Sequence, residues 1–416
     1  MDGAQSVSGS RNPESGAAGA TAVIRMRSRA TVNRRAGRSS VSRHPAKRVR
    51  VLIVTDTAIL TSGGSERFLR NLLERLPAGS FKVDVLQLAA APADAFGRLN
   101  APHVTLSHEP IGESRIRLLA AMFRAWQLVR HNHYDIVHSQ HESADLINAL
   151  LPGGARRLSS RRDMGFLKSS RMRSLMRWLD RRFDCIVAPS QAILDSLPHR
   201  PRSGLACIPN GVDTRRYAPV DARQRVRMRE ALGYTANELL IGCVANFNPV
   251  KRHLDLVDAF ARVYTELPQA RLLLVGDGRL CGAIEARITA LGLAGAARLL
   301  GPRLDVPKIL PALDVFALAS ETEGMSNAIL EAQACGLPVV ATRVGGNPEL
   351  VDADCGVLVE PLNPPALAQA LLELLPDTAR RIRLGSAARA RVCARHSLQK
   401  MTDAYLALYR ELADAR

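Results

Sequence analysis

Short apolar runs alternate with segments of helical periodicity along most of the chain from residue 51 onward. The first run, residues 51–54, is typical of a buried strand and leads into a loop that ends at Gly63 and Gly64. The next apolar residues fall at helical spacing: Phe68, Leu69, Leu72, Leu73 and Leu76. This order of strand, glycine turn and helix predicts one Rossmann-like unit, with Ser65 as the helix N-cap.

The same alternation continues and restarts once, after the turn signal Asn210-Gly211 and a polar stretch that runs to Arg229. Further strands are predicted at residues 83–88, 136–138, 185–189, 239–244, 271–275, 315–319 and 339–341, and helices at residues 114–130, 169–182, 253–263, 326–335 and 398–412. Strands that alternate with helices indicate parallel sheets covered on both faces. We therefore predict an α/β protein with two doubly wound Rossmann-like domains that face each other across a cleft.

The predicted domains are residues 48–217 and 218–397. Residues 1–47 are rich in Gly, Ala, Ser and Arg and are predicted to be a disordered basic tail. A helix within residues 398–416 is predicted to cross back to the N-terminal domain. Ligands of doubly wound sheets bind at the carboxyl ends of the strands, so the cleft is the expected active site.

Composition narrows the class of protein. No apolar run is long enough to span a membrane, and residues 1–30 lack the apolar core of a secretory leader, so we expect neither an integral nor a Sec-exported protein. The seven cysteines are scattered and never stand in a Cys-x-x-Cys pair. This pattern favours a reducing cytoplasm over a disulfide framework or a structural zinc site.

The formal net charge of +18 is concentrated in two segments. Residues 1–50 contain 11 Lys or Arg against 2 acids, and residues 156–182 contain 10 against 2. Two local basic segments and only 4% aromatic residues favour contact with an anionic membrane surface over nucleic-acid binding. An equally open interpretation is that both segments are ordinary solvated surface. The apolar positions within the second segment either face a membrane or pack on the sheet as an ordinary helix: Met172, Leu175, Met176 and Leu179.

The segment from Ser320 to Glu331 carries the most informative chemistry. It joins a predicted strand to a helix N-terminus, where free N–H groups and the helix dipole favour a phosphate, and Gly324 allows a close backbone approach. Glu323 precedes the helix and Glu331 lies about one turn inside it. Two carboxylates that flank a phosphate site suit a nucleoside diphosphate sugar, with one on the ribose and one on the sugar. The alternative is an ordinary helix cap with solvated acids.

Lys251 lies between a predicted strand and a predicted helix, in a chain with only six lysines. An ammonium group at such a turn could neutralise the charge of a leaving diphosphate. The alternative is a surface lysine at a helix start, which the helix dipole disfavours.

Several segments match, in order, the motifs of one known family. They are Asp135-Ile136-Val137-His138, Ile208-Pro209-Asn210-Gly211-Val212-Asp213, Leu274-Val275-Gly276-Asp277-Gly278, Glu323 with Glu331, and Glu331-Ala332-x-Ala334-Cys335-Gly336-Leu337-Pro338-Val339-Val340-Ala341-Thr342 continuing to Gly345-Gly346-x-Pro348-Glu349. Together they resemble glycosyltransferase family 4, the retaining enzymes of the GT-B fold, over roughly residues 50–412.

This resemblance implies a role for each matching residue. Glu331 would bind the ribose, Glu323 the transferred sugar, and Lys251 would neutralise the leaving diphosphate without a metal. The residues implied to lie near the donor phosphates are Gly324, Met325, Ser326 and Asn327, together with Gly63 and Gly64, which would approach the donor phosphate or the acceptor. The implied contacts to the acceptor or the sugar are His138 and His141.

Two departures from the family pattern are visible. The family usually carries an Arg a few residues before the Lys, where this chain has Asn246 and Asn248; Arg252 and Arg343 are candidate substitutes. Sequences of the family usually have His-x-His after the Asp-Ile-Val strand, whereas this chain has two residues between His138 and His141.

The motifs and the family resemblance together predict a glycosyltransferase of hexosyltransferase type, EC 2.4, which uses a UDP- or GDP-sugar and needs neither a metal nor another cofactor. The resemblance implies that it is a retaining enzyme. The expected acceptor is a cell-envelope or polysaccharide glycan, lipid-linked, and the expected location is the cytoplasm, peripheral to the inner face of the membrane. Two alternatives stay open: a nucleotide-sugar epimerase on the same fold and, less favoured, a basic nucleic-acid-binding protein.

Overall fold

The computed structural model describes residues 23–25, 48–60, 63–90, 99–112, 114–164, 170–197 and 204–415. Within these residues the chain forms two sheets, each covered by helices. The described part contains no helix with both the length and the apolar character that a membrane crossing requires.

The N-terminal domain is built on eight strands. They are β1 (Val23–Arg25), β2 (Val49–Thr55), β3 (Phe81–Gln87), β4 (Val104–His108), β5 (Ile136–Gln140), β6 (Arg156–Ser160), β7 (Cys185–Ala188) and β8 (Gly204–Cys207). Its helices are α1 (Gly64–Arg75), α2 (Arg115–Asn132), α3 (Glu142–Leu150), α4 (Ser170–Asp180) and α5 (Gln191–Asp195). The strand order is β1-β8-β7-β6-β5-β2-β3-β4, and all pairs are parallel except β1 with β8.

The C-terminal domain is built on six parallel strands. They are β9 (Leu239–Val244), β10 (Ala270–Val275), β11 (Ala297–Leu299), β12 (Val315–Leu318), β13 (Val339–Thr342) and β14 (Gly356–Val359). Its helices are α6 (Ala222–Leu232), α7 (His253–Glu266), α8 (Cys281–Ala290), α9 (Val306–Ile309), α10 (Asn327–Ala334), α11 (Asn347–Leu350), α12 (Pro364–Leu374) and α13 (Thr378–Arg395), with 3-10 turns at Pro249–Lys251 and Leu310–Ala312. The strand order is β11-β10-β9-β12-β13-β14.

One described element lies within residues 1–47, which the sequence predicted to be disordered. The strand β1 pairs with β8, from Val23 opposite Cys207 to Arg25 opposite Leu205, so the prediction is wrong for these three residues. The β8 edge offers unpaired backbone groups, and pairing satisfies them even for a segment without a strand-like sequence pattern. The rest of the predicted tail lies outside the described residues.

Helix α4 decides between the two interpretations of the basic segment 156–182. Met176 and Leu179 are buried and pack with Phe183 and Ile186, so this part of the apolar stripe belongs to the core. The stripe therefore does not face a membrane there, because the underlying sheet offers an apolar surface to cover. Met172 lies in a part of the helix whose side chains are outside the described set.

Helix α6 was missed in the polar stretch that ends at Arg229. It has a capping box between Asp221 and Gln224 and ends at Gly233, which adopts a left-handed φ of 85°. Arg229 is buried and donates to Asp314 Oδ2 at 2.5 Å. The helix packs through a buried ion pair. Its sequence therefore lacks the apolar stripe from which a helix is usually predicted.

The final helix, α14 (Leu398–Asp414), packs on the N-terminal sheet. Tyr405 and Tyr409 are buried among the rings of Phe68 and Phe81. The start of α14 packs against Gly211, where an added Cβ would lie 2.8 Å from the Cα of Leu398. The close approach of these two backbone segments requires glycine at that point.

Candidate active site

The strand order of the C-terminal sheet fixes where its loops converge. The chain runs from β9 outward to β10 and β11, then returns to the other side of β9 with β12. The switch in direction therefore lies between β9 and β12, where a crevice forms at the carboxyl ends of the strands. Lys251 follows β9 and Glu323 follows β12, so the fold brings these two predicted residues together although 72 positions separate them.

Lys251 and Glu323 form a direct ion pair in this crevice. Lys251 Nζ donates to Glu323 Oε1 at 2.5 Å, and the Ser320 hydroxyl donates to the same oxygen at 2.7 Å. The Glu323 side chain is buried and the Lys251 side chain is partly exposed. A backbone bond from Glu321 N–H to the carbonyl of Val250, at 2.8 Å, holds the two loops together. The crevice thus presents one cation and one carboxylate in a fixed arrangement.

Helix α10 begins beside this pair. The Ser326 hydroxyl accepts from the Ile329 N–H at 3.3 Å, which identifies Ser326 as the N-cap, and Gly336 follows the helix with a left-handed φ of 76°. The sequence predicts Ser326 or Asn327 as the N-cap and Gly336 as the end of this helix, and the N-cap is Ser326. The N–H groups at the first positions of such a helix are available to an anion.

The loop before α10 is packed tightly against neighbouring backbone. An added Cβ at Gly324 would lie 2.3 Å from the carbonyl oxygen of Arg162, and one at Gly345, whose φ is 48°, would lie 1.7 Å from that of Glu323. Glycine is therefore required at both positions. Ser190 of the N-terminal domain also donates to the carbonyl of Gly324 at 2.8 Å. The close approach predicted for Gly324 is made here by the N-terminal domain.

Met325 and Asn327 are held by the interdomain linker. Asn210 Nδ2 donates to the Met325 carbonyl at 3.3 Å and to Asn327 Oδ1 at 2.9 Å. Asn327 Nδ2 in turn donates to the carbonyl of Gly64 at 3.2 Å. Gly64, one of the two glycines predicted to lie near the donor, is thus in contact with α10 through this side chain. Gly63 itself, and not Ser65, is the N-cap of α1.

Glu331 is buried within α10 and contacts the N-terminal domain. Arg67 Nη1, from the first turn of α1, donates to Glu331 Oε1 at 2.7 Å. Burial raises the pKa of the Glu331 carboxyl above its usual value, and the positive charges of Arg67 and Arg216 oppose that rise. Nothing in the sequence singled out Arg67, because it is one of many arginines and belongs to no motif that we recognised.

The N-terminal sheet has its own switch point, between β2 and β5, because the chain runs β2-β3-β4 in one direction and β5-β6-β7-β8 in the other. His141 follows β5 there and is the N-cap of α3. Its φ of 74° and ψ of 175° lie in a region that only glycine adopts without strain. Asp56, after β2, accepts from the N–H groups of Ser143 and Ala144 at 2.9 and 2.8 Å. Burial is the main cause that raises the pKa of Asp56 to about 6.

His138 does not belong to this site, and its predicted contact with the acceptor or the sugar is wrong. It is fully buried between the sheet and α14, with Nδ1 at 2.8 Å from the Tyr409 hydroxyl and Nε2 at 3.0 Å from Ser160 Oγ. Burial lowers the pKa of the His138 imidazole to about 3, so it is neutral. Its imidazole provides the hydrogen-bond partner of the buried Tyr409 hydroxyl. The sequence alone does not distinguish that structural role from a contact to a ligand.

Neither candidate substitute for the missing Arg is at the Lys251–Glu323 pair. Arg252 donates to both carboxylate oxygens of Asp255, at 3.0 and 2.9 Å, and Arg343 lies 3.4 Å from the exposed Glu360. Asn246, one of the two residues that stand where the family usually has Arg, is exposed. Among the described residues, His, Cys, Asp and Glu side chains form no group of three or more that could hold a metal ion.

Two family models match this chain, one in each domain. Residues 62–216 match the model described as Glycosyltransferase Family 4, and residues 238–377 match the model described as Glycosyl transferases group 1. The chain belongs to glycosyltransferase family 4. The resemblance inferred from the motifs is thereby confirmed.

Two curated relatives of this family 4 chain have names that specify a lipid-bound acceptor. A GDP-mannose-dependent monoacylated alpha-(1-6)-phosphatidylinositol monomannoside mannosyltransferase of Corynebacterium glutamicum is 36% identical over 47% of this chain and 53% of its own length. An Escherichia coli UDP-Gal:alpha-D-GlcNAc-diphosphoundecaprenol alpha-1,3-galactosyltransferase is 28% identical over 64% of this chain and 72% of its own. Three of the relatives, at 31 to 36% identity, are matched over only 52% to 62% of their own length.

The fold of this family 4 chain also matches solved structures. Sucrose-phosphate synthase from Thermosynechococcus elongatus superimposes with a TM-score of 0.79 at 22% identity, over 89% of this chain and 100% of that one. The predicted GT-B fold, with two doubly wound domains, is therefore confirmed.

The backbone strain at His141 leads to a stability prediction. A non-glycine residue held in this region carries about 1–3 kcal/mol of backbone strain, which glycine releases and alanine does not. The greater flexibility of glycine in the unfolded chain offsets about 0.5–1 kcal/mol of that gain. We therefore expect His141→Gly to be more stable than His141→Ala by about 1 kcal/mol. Thermal unfolding of both variants measures the difference. Equal midpoints, or a higher midpoint for His141→Ala, would show that position 141 is unstrained.

Proposed function

We propose that this protein transfers a hexosyl group from a nucleotide sugar to an acceptor, with retention at the anomeric carbon. The observation that carries the proposal is the convergence of Lys251, Glu323 and the N-terminus of α10 at the switch point of the C-terminal sheet. Family membership supports the same reaction class. The epimerase alternative also fits a nucleotide-sugar site, but the relatives named above are transferases.

The donor diphosphate is assigned to the N-terminus of α10. Its first N–H groups and the positive end of the helix dipole stabilise phosphate oxygens. Lys251 Nζ, at the same crevice, adds a full positive charge where negative charge develops as the diphosphate leaves. Because these groups supply the neutralisation, the proposed reaction needs no metal ion. Glu331, deeper in the same helix, is assigned to the ribose hydroxyls, and UDP or GDP is the proposed nucleotide.

The proposed chemistry is a substitution on one face of the sugar. The bond from the anomeric carbon to the diphosphate breaks and its electron pair leaves with the diphosphate. The acceptor hydroxyl forms the new bond on the same face and passes its proton to the departing phosphate oxygen. Glu323, fixed by Ser320 and Lys251, orients the transferred sugar through its hydroxyls. A covalent glycosyl intermediate would need a second carboxylate pair at this crevice, and the described residues supply none.

A lipid-linked acceptor at an anionic membrane is the proposed partner. The structure offers a surface that fits it: α2, α3 and α4 cover one face of the N-terminal sheet and expose large apolar side chains. These are Ile116, Leu119, Phe123, Leu150 and Trp178. The exposed basic residues of the same helices and the turn after α4 are Arg115, Arg117, Arg124, Arg130, Arg177, Arg181 and Arg182.

Charge composition supports a membrane over a protein partner for this surface. Helix α2 contains four arginines and no acidic residue, and Asp145 and Asp180 of the neighbouring helices are buried. Exposed apolar side chains ringed by arginines suit the boundary between lipid head groups and acyl chains. Helix α2 follows β4, so its first turns lie toward the carboxyl edge of the sheet, where the cleft is. A lipid-linked acceptor held on this surface would be presented near the donor.

The first prediction from this proposal concerns Lys251. We expect Lys251→Ala to lower kcat by about 100-fold or more, because a charge aimed at the leaving diphosphate contributes most in the transition state. Transfer of labelled sugar to a lipid-linked acceptor measures kcat. Lys308→Ala, at another lysine of the same domain, is the control and should keep full activity. Activity within a few-fold of wild type in folded Lys251→Ala would contradict the assignment, and donor isomerisation without acceptor would favour the epimerase.

The second prediction concerns the membrane surface. We expect Leu119→Ser with Phe123→Ser to weaken binding to vesicles that contain phosphatidylglycerol by about tenfold, since each side chain buries apolar area in the interface. Cosedimentation measures the binding. Ile382→Ser in α13 removes an equally exposed apolar side chain from the C-terminal domain and should leave the binding unchanged. Equal vesicle binding by the double variant and wild type would show that this surface does not meet the membrane.

A further inference from the structure

The carboxylate assigned to the ribose is already engaged across the domain boundary. Arg67 Nη1 lies 2.7 Å from Glu331 Oε1, and the two residues belong to different domains and are 264 positions apart. Glu331 is buried, and Arg67 is only partly exposed. A charge-assisted bond of this geometry in a partly desolvated site is a strong contact that a competing hydroxyl must replace.

The space beside Glu331 is too small for a nucleotide. Arg67, Asn71, Asn327 and Glu331 line a cavity of about 70 Å³ between the domains. Ligand sites usually enclose about 300–1,000 Å³, so the two domains must separate before a nucleotide sugar can enter. The Arg67–Glu331 pair is broken while the domains are apart, because its two members belong to different domains. It re-forms when the domains close, unless a ligand then occupies the Glu331 carboxylate.

Other interdomain contacts surround this pair but leave the Glu331 carboxylate untouched. Asn327 donates to the carbonyl of Gly64, Ser190 to the carbonyl of Gly324, and the Ala192 N–H to Glu349 Oε1 at 3.0 Å. Those contacts resist opening for any ligand. Arg67 differs from them because it occupies Oε1 of the carboxylate that is assigned to the two ribose hydroxyls.

We propose that Arg67 competes with the ribose of the donor for the Glu331 carboxylate and so sets a threshold for donor entry. This inference rests on the proposed function, because it takes Glu331 as the ribose site. Two ribose hydroxyls binding the carboxylate displace the guanidinium, which then lies free on the first turn of α1, next to Gly64. Donor affinity is therefore lower than the C-terminal site alone would give, and a free guanidinium at the cleft reports that the donor has bound.

The test compares Arg67→Gln with Arg70→Gln. Arg70 lies one turn further along α1 and lines the same cavity, so its substitution removes the same charge without removing the bond to Glu331. Calorimetry measures the binding of UDP and GDP, and of their 2′,3′-dideoxy forms, to wild type and both variants. A lost charge-assisted bond corresponds to about a tenfold change in affinity, so we expect Arg67→Gln to bind the ribonucleotide about tenfold more tightly than Arg70→Gln. The dideoxy form should show no such gain. Arg67→Lys, which keeps the charge, provides a second folded variant and should fall between.

Each other outcome counts against the proposal in a distinct way. Equal or weaker ribonucleotide binding by Arg67→Gln would overturn the competition and assign Arg67 to donor binding or to structure. An equal gain for the dideoxy form would overturn it as well, because the barrier would then be domain opening and not the ribose. If neither nucleotide binds wild type or any variant, the proposed function fails, and this inference fails with it.

Discussion

Parallel strands place the loops that follow them at one edge of a sheet, and the arrangement of the candidate site depends on that constraint. In the C-terminal domain the switch in strand order places the loops after β9 and β12 side by side, which joins Lys251 to Glu323. In the N-terminal domain the same switch places His141 and the loop before α1 together. With the two edges facing each other, two ordinary Rossmann-like sheets form one cleft.

Much of this arrangement could be predicted because local signals and fold agree. The Ser326 cap, the Gly336 stop and the apolar strands follow from residues that act over one helical turn or along one strand. His138 and Arg67 illustrate what local patterns miss. The imidazole of His138 satisfies Tyr409, 271 positions away, and Arg67 bonds to Glu331 across the domain boundary. Both roles depend on tertiary partners, so neither residue type nor spacing reveals them.

Buried ion pairs explain two further differences between sequence and structure. Helix α6 packs through the guanidinium of Arg229 on Asp314, which removes the apolar periodicity that usually identifies a helix. In the basic segment 156–182, Arg161 is buried beside Asp180 and Asp145, at 2.5 and 3.2 Å. The charge of a basic sequence segment therefore overstates the charge of the surface, because some of its arginines are buried in ion pairs. The exposed arginines of α2 are the stronger indication of a membrane-facing surface, although that helix was not conspicuous in the charge count.

Both the proposed transfer and the proposed role of Arg67 require that a nucleoside diphosphate binds between the N-terminus of α10 and Glu331. A crystal structure with UDP or GDP bound tests it most directly. We expect diphosphate oxygens within hydrogen-bond distance of the first N–H groups of α10 and of Lys251 Nζ. The ribose hydroxyls should bind Glu331, with Arg67 moved off that carboxylate. A nucleotide bound elsewhere in the cleft, with the Arg67–Glu331 pair still 2.7 Å apart as it is here, would contradict it.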